Sequence, residues 1–136
     1  GMIPLGIAMQ QTGAAQWIAS GMQAFLGPYG PWPAIAGLYL VTTLGTLAVP
    51  APALVLIMAP IAVSIAEAMA VAPHAPLMAV AIAVGASLAS PVAHPTNLLV
   101  MGPGGYRFAD YLRLGLPVQL VVFIVAAVLM PFVWPL

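Results

Sequence analysis

The chain has 136 residues, 64% of them hydrophobic and 3% charged, with a mean hydropathy of +1.16. Two Arg, one Glu, one Asp and no Lys cannot coat a soluble domain, so the solvent for most of this surface is lipid. The net charge of +0 supplies no basic field for nucleic acid, and without cysteine there are no disulfides, thiolate nucleophiles or thiolate zinc sites. Gly1 precedes Met2 and no basic signal-peptide region follows, which reads as an added residue or an internal cut in a longer protein.

Residues 3 to 26 mix Ile3, Leu5, Ile7, Trp17, Ile18, Met22 and Phe25 with Gln10, Gln11, Thr12, Gln16, Ser20 and Gln23. That is too polar to span, and it predicts an amphipathic helix over 1–26 lying in the membrane interface. GPYGPWP at 27–33 is a turn whose aromatic side chains suit the headgroup layer. Residues 34 to 49 form an apolar helix of about 24 Å, short of a ~30 Å hydrocarbon core, so they stop inside the membrane. Pro50 and Pro52 remove two neighbouring donors and end that helix, and residues 53 to 71 make a second apolar run. The pattern predicts a re-entrant helical hairpin over 34–71 with its tip at mid-depth; the alternative is one long proline-kinked span followed by a shorter one.

After APHAP at 72–76, the run Leu77 to Ser90 covers about two-thirds of a membrane thickness. The break from Pro91 to Pro95 interrupts it, and a short helix from Thr96 to Met101 completes a discontinuous helix over 76–101. GPGGYRFADYLR at 102–113 holds Arg107, Asp110 and Arg113 and lies in water or headgroups. The final span is predicted over 112–135, and the two arginines bias the preceding loop toward the cytoplasm, leaving the C-terminus outside. The fold class is therefore all-α and integral to the membrane: an interfacial helix, a re-entrant hairpin, a discontinuous transmembrane helix and one full transmembrane helix.

A helix broken at membrane depth frees backbone groups, each costing several kcal/mol in lipid, so something must fill the break. The N-terminus beginning at Thr96 and Asn97 suits an anion, and carbonyls around Val92 and Ala93 suit a small cation such as sodium. Ser90, Thr96 and Asn97 add hydroxyl and amide ligands without formal charge. Together, a broken helix and a preceding hairpin form the two walls of a transporter site.

With MAPIA at 58–62, ASLASPVAHPTN at 86–97 and GPGGYRFADYLRLGLP at 102–117, the chain resembles the divalent anion:sodium symporters over nearly its whole length. That family carries dicarboxylates, tricarboxylates such as citrate, or sulfate. The resemblance implies a single membrane domain over 1–136, the C-terminal part of the second of two inverted repeats, with sodium as coupling ion. It implies no enzymatic activity and no other cofactor. Its partners are the lipid bilayer, a small divalent anion, and the remainder of the transporter or a second subunit; its place is a prokaryotic inner membrane. By the resemblance Ala93 offers a carbonyl to sodium, Pro95 touches the substrate, and Thr96 and Asn97 open the second half-helix. At the hairpin tip Thr46 matches the family pattern, but the Ser-Asn-Thr or Ser-Asn-Asn triplet is replaced by Pro50, Ala51 and Pro52. The tip therefore keeps the carbonyls of Val49 and Ala51 for sodium, with Pro52 beside the substrate, and lacks the family's side-chain ligands. This departure implies a changed ion, a changed substrate or lost transport, so a truncated or non-transporting membrane protein that assembles with a partner chain is the alternative.

Other polar residues have two readings each. His94 is a proton carrier or bonds a free carbonyl; Glu67 is an intramembrane acid or sits near the outer surface. Thr42, Thr43 and Thr46 line a pathway or bond carbonyls of their own helix. The glycines at 102, 104 and 105 form a turn rather than a phosphate loop, His74 lacks a second metal ligand nearby, and Asp110 pairs with Arg113 if their loop is helical.

Overall fold

The computed structural model describes Pro4, Ile7, Ala8 and residues 11–135; Ile3, Leu5 and Gln10 of the expected interfacial helix lie outside the described residues. The regular elements are α1 (Ala14–Leu26), a 3-10 turn (Gly27–Tyr29), α2 (Pro31–Gly45), α3 (Ala51–Ala68), α4 (His74–Gly85), α5 (Pro95–Met101) and α6 (Phe108–Val133). Among the described residues there is no strand.

Proline sets the helix starts. Pro31, Pro52 and Pro95 all lie in first turns, where the missing N–H has no intrahelical partner to lose and the fixed φ favours the helix. Pro52 therefore opens α3, whereas the sequence suggested that it closes the preceding helix. Gly13, at φ 73, turns the chain between the stretch ending at Thr12 and α1, a left-handed conformation that glycine adopts without steric cost.

Two apolar clusters hold the helices. In the first, Ala19 of α1, with Ile18, Met22 and Leu26, packs on Leu38 of α2 and on Leu54, Met58, Ile61, Ala62 and Ile65 of α3. Gln23 fastens the same helix by donating from Nε2 to the Ala68 carbonyl at 3.1 Å. Trp17 and Phe25 point away from the cluster, 80% and 85% exposed, so α1 is two-faced as its sequence suggests. In the second cluster, Ala75, Ala79 and Ala83 form one stripe of α4 facing Ile35 and Tyr39 of α2 and Ala126 and Met130 of α6. Small side chains at this spacing let helices approach closely, the packing mode of membrane helices.

Both α3, with 18 residues, and α6, with 26, are long and apolar enough to cross a membrane. Only 17% of the α6 apolar window is buried inside the protein, so most of this helix presents apolar surface outward. Its buried stripe is Gly115, Gln119, Ala126 and Met130.

Several boundaries differ from expectation. The helix before the break stops at Gly85 rather than Ser90, because side chains within 87–97 take over the bonds that a longer helix would make. At the other end, α6 begins at Phe108, inside the stretch assigned to a polar loop. Arg107 N–H donates to Asp110 Oδ2 at 2.7 Å, a cap that starts the helix early. Asp110 thus serves Arg107's backbone rather than waiting for Arg113. Glu67 is exposed at the end of α3, and His74 is exposed at the start of α4.

Gly115 lies directly on the backbone of Leu88 and Ala89, and a Cβ there would overlap it. Gly115→Ala is expected to destabilise the protein by about 1–3 kcal/mol as an overpacking change. Gly102→Ala, where nothing lies within 4 Å, is expected to be near neutral. Thermal unfolding in detergent compares the two; equal midpoints would remove Gly115 as the fixed contact of α6.

Candidate functional site

The turn between α2 and α3 leaves no backbone donor idle. Thr46 N–H bonds the Thr42 and Thr43 carbonyls, Leu47 N–H that of Leu44, and the N–H groups of Ala48 and Val49 both reach the Gly45 carbonyl. Pro50 and Pro52 carry no N–H. The one remaining donor, Ala51 N–H, crosses to the Ala93 carbonyl in the helix break at 3.1 Å. Leu54 N–H then returns to the Pro50 carbonyl and starts α3.

A second link runs beside the first. The Ser90 hydroxyl donates to the Leu47 carbonyl at 3.1 Å and accepts from Val92 N–H at 3.2 Å. With Ser90 and Ala93 at 0% exposure and Thr46 at 1%, this junction between tip and break is fully packed. Inside the break, Asn97 Nδ2 donates to the Ser87 carbonyl at 3.3 Å and to the Ser90 carbonyl at 3.1 Å. The Tyr111 hydroxyl, from the first turns of α6, donates to the Asn97 carbonyl at 2.7 Å. Three of these bonds, two from Asn97 and one to the Ser90 hydroxyl, serve the stretch from Ala86 to His94 in place of a helical ladder, satisfying the Ser87 and Ser90 carbonyls and Val92 N–H.

His94 caps α5. Its backbone is extended, as the residue before a proline prefers, and its Nδ1 lies 2.8 Å from Thr96 Oγ1 and accepts from Thr96 N–H at 3.4 Å. Asn97 N–H bonds the His94 carbonyl at 3.0 Å. The first turn of α5 thus meets His94 before it meets any solute.

The nine residues singled out in the sequence fall in two layers. Thr46, Ala51, Ser90 and Ala93 are buried at the junction, with Val49 and Asn97 half-buried at its edge. Pro52, Pro95 and Thr96 are exposed, as is His94. Thr46 Oγ1 donates to the Thr43 carbonyl at 2.6 Å, and Thr42 Oγ1 donates to the Leu38 carbonyl at 2.7 Å, so these two hydroxyls serve their own helix. Sequence reasoning missed Leu47, Ser87 and Tyr111. The first two act through backbone carbonyls that any residue carries, and Tyr111 lies in the stretch assigned to water or headgroups.

The family model described as citrate transporter (CitMHS) matches residues 1–135. The chain is 36% identical over 135 residues to the uncharacterized transporter YfbS of Escherichia coli (strain K12), covering 99% of this chain and 22% of that protein. It is 34% identical over 134 residues to the uncharacterized transporter sll0640 of Synechocystis sp., covering 98% of this chain and 22% of that protein. A putative sulfur deprivation response regulator of Chlamydomonas reinhardtii is 37% identical over 121 residues, 87% of this chain and 20% of that protein. The chain therefore spans about a fifth of the length of the curated relatives it matches. No solved structure matches.

Ser90→Ala leaves the Leu47 carbonyl and Val92 N–H without their buried partner and is expected to cost about 1–3 kcal/mol. It is also expected to speed amide exchange at Ala51 by loosening the neighbouring bond. Thr96→Ala, at an exposed pair, is expected to change stability by less than about 0.5 kcal/mol. Hydrogen exchange with mass-spectrometric readout of the tip peptide checks the first; unchanged protection at Ala51 in Ser90→Ala would uncouple tip from break.

Proposed function

Because the chain belongs to the citrate transporter family, we propose that it is the C-terminal substrate- and ion-binding portion of a secondary active transporter. The proposed cargo is a divalent anion, dicarboxylate, citrate or sulfate, coupled to sodium. The observation that carries the reading is the bond from Ala51 N–H to the Ala93 carbonyl, which joins a hairpin tip to a helix break. In this reading α2 and α3 re-enter the membrane with their tip at mid-depth, α1 lies at the interface, and α4 and α5 form one discontinuous span. The membrane is the prokaryotic inner membrane, and the remainder of the transporter completes the pathway.

The balance of donors and acceptors divides the work. Pro50 and Pro52 each remove a donor but keep a carbonyl, and every N–H from Thr46 to Ala51 is already bonded. The tip is therefore poor in free N–H, and the lone pairs that its carbonyl oxygens keep, Pro50's already accepting from Leu54 N–H, suit a small hard cation held by oxygen without formal charge. Val49, Ala51 and Ala93 supply carbonyls, and the Thr46 hydroxyl oxygen keeps lone pairs beside them. The anion takes the exposed side: the Thr96 hydroxyl, the half-helix start at Pro95 and Asn97, and the ring of Pro52, with Ser90 holding the wall behind them. Alternating access moves the hairpin and broken helix as one body against the rest of the transporter.

The sulfur-response name of the Chlamydomonas relative directs the substrate test to sulfate alongside citrate and succinate. Proteoliposomes carrying the whole transporter are expected to take up one of these labelled anions under an inward sodium gradient. Thr96→Val removes one hydrogen bond to a charged ligand, about 1.5–3 kcal/mol, and is expected to lower uptake by about 10- to 100-fold at an unchanged unfolding midpoint. Uptake of none of the three anions would end the substrate assignment, and equal uptake with potassium in place of sodium would end the coupling assignment.

A further inference from the structure

Three polar side chains, Tyr39 and Thr43 of α2 and Gln119 of α6, take no part in the junction. Gln119 is 2% exposed, and both its amide oxygen and its amide nitrogen are buried without a partner among the described residues. The hydroxyls of Thr43 and Tyr39 are buried in the same condition. In a chain this apolar, each such group costs free energy unless something small and polar meets it.

Two contacts place Thr43 and Gln119 in one layer. Toward the chain ends, the Tyr39 and Phe123 rings pack with centroids 5.1 Å apart. Toward the tip, Ser90 bonds the Leu47 carbonyl while Gly115 lies on Ala89 next door. Thr43 is one turn from both Tyr39 and Leu47, and Gln119 is one turn from both Phe123 and Gly115, so the two side chains are bracketed by the same pair of layers. The helices run in opposite directions here, since Trp32 shares a cavity with Pro131 at the far end. That cavity, about 300 Å³ between α2 and α6, reaches Tyr39 and Phe123 one turn from the polar pair.

We propose that this layer binds water: at least one internal molecule bridges the Gln119 amide and the Thr43 hydroxyl. The primary amide decides the chemistry. Its NH₂ needs an acceptor and cannot ligate a cation, while its carbonyl needs a donor and repels an anion. Water supplies both from one small molecule, and it needs two to four polar partners, which the amide and hydroxyl provide. The site is separate from the proposed solute site, one turn deeper along α2 than the Leu47 carbonyl. It hydrates the seam between the first hairpin arm and the last helix.

The test is proton-detected NMR of the protein in lipid nanodiscs with ¹⁵N-labelled glutamine, Gln119→Met assigning the side-chain resonance. A magnetisation-transfer cross-peak from water to the Gln119 NH₂ is expected. Thr43→Val is expected to keep the resonance but lose the cross-peak, because the water loses its second anchor. A resolved Gln119 NH₂ with no water contact in the wild type would overturn the proposal. So would a cross-peak of unchanged intensity in Thr43→Val, which would place the water elsewhere. Should Gln119→Met fail to fold, Gln119→Asn removes the same resonance from the glutamine spectrum and assigns it, so the wild-type measurement stands.

Discussion

Backbone groups in lipid have no water to fall back on, and the architecture of this chain follows from how two irregular segments answer that constraint for each other. The tip between α2 and α3 has one donor that its own turn cannot use, at Ala51, and the break between α4 and α5 has an acceptor to match, at Ala93. Either segment alone would leave an unpaired buried group costing several kcal/mol. Ser90 doubles the link by bonding Leu47, and its position inside the break makes that second bond depend on the first segment's fold. The tip and the break are thus a single structural unit, although 42 residues of sequence separate Ala51 from Ala93.

Close packing of small residues keeps that unit in place. Ala75, Ala79 and Ala83 bring α4 against α2 and α6, and Gly115 lets α6 rest on the backbone of Leu88 and Ala89. Membrane helices gain little from excluding water from one another, so contact area at short separation carries the association. The same wall supplies Tyr111, whose hydroxyl reaches the Asn97 carbonyl and connects α6 to the start of α5. The last helix therefore meets the break at two points, once by contact and once by hydrogen bond. Its remaining surface stays apolar and outward, with Leu120, Val121, Ile124 and Val128 all more than half exposed.

Prolines made much of this legible before any coordinates. Pro50, Pro52, Pro91 and Pro95 remove donors in close pairs and mark the interruptions, whereas the isolated Pro60, Pro117 and Pro131 lie inside helices. The all-helical architecture and the transporter family were both readable, the latter because its motifs run through the break and the loop after it. Other features left no local trace. Nothing in ASLAS opposes a helix, so the early stop at Gly85 arises from Asn97 folding back onto the Ser87 and Ser90 carbonyls, a tertiary effect. Pro52 was legible as an interruption but not as a beginning, because proline ends one helix and starts the next with equal ease. Gln119 sits in a uniformly apolar run, and only the position of its neighbours shows that it is buried rather than lipid-facing.

By the family resemblance, Pro-Ala-Pro stands at the tip where Ser-Asn-Thr is expected, which changes what the tip can hold more than whether it can hold anything. A Ser-Asn-Thr triplet would bring hydroxyl and amide donors able to grip an anion, whereas two prolines strip donors and leave carbonyls. Since every N–H from Thr46 to Ala51 is bonded, the turn itself has none left for a negative ligand in this state. On the proposed reading, cation and anion are then sorted by surface: the carbonyl-rich junction for one, the exposed start of α5 and residues beyond this chain for the other. Ala93 stands at the boundary, accepting from the tip through one lone pair and keeping the second free. A cation bound there would tighten tip and break together, and the anion wall at Thr96, three residues on, would move with them. Coupling between the two ligands would follow from that shared backbone, with no charged side chain needed at the site.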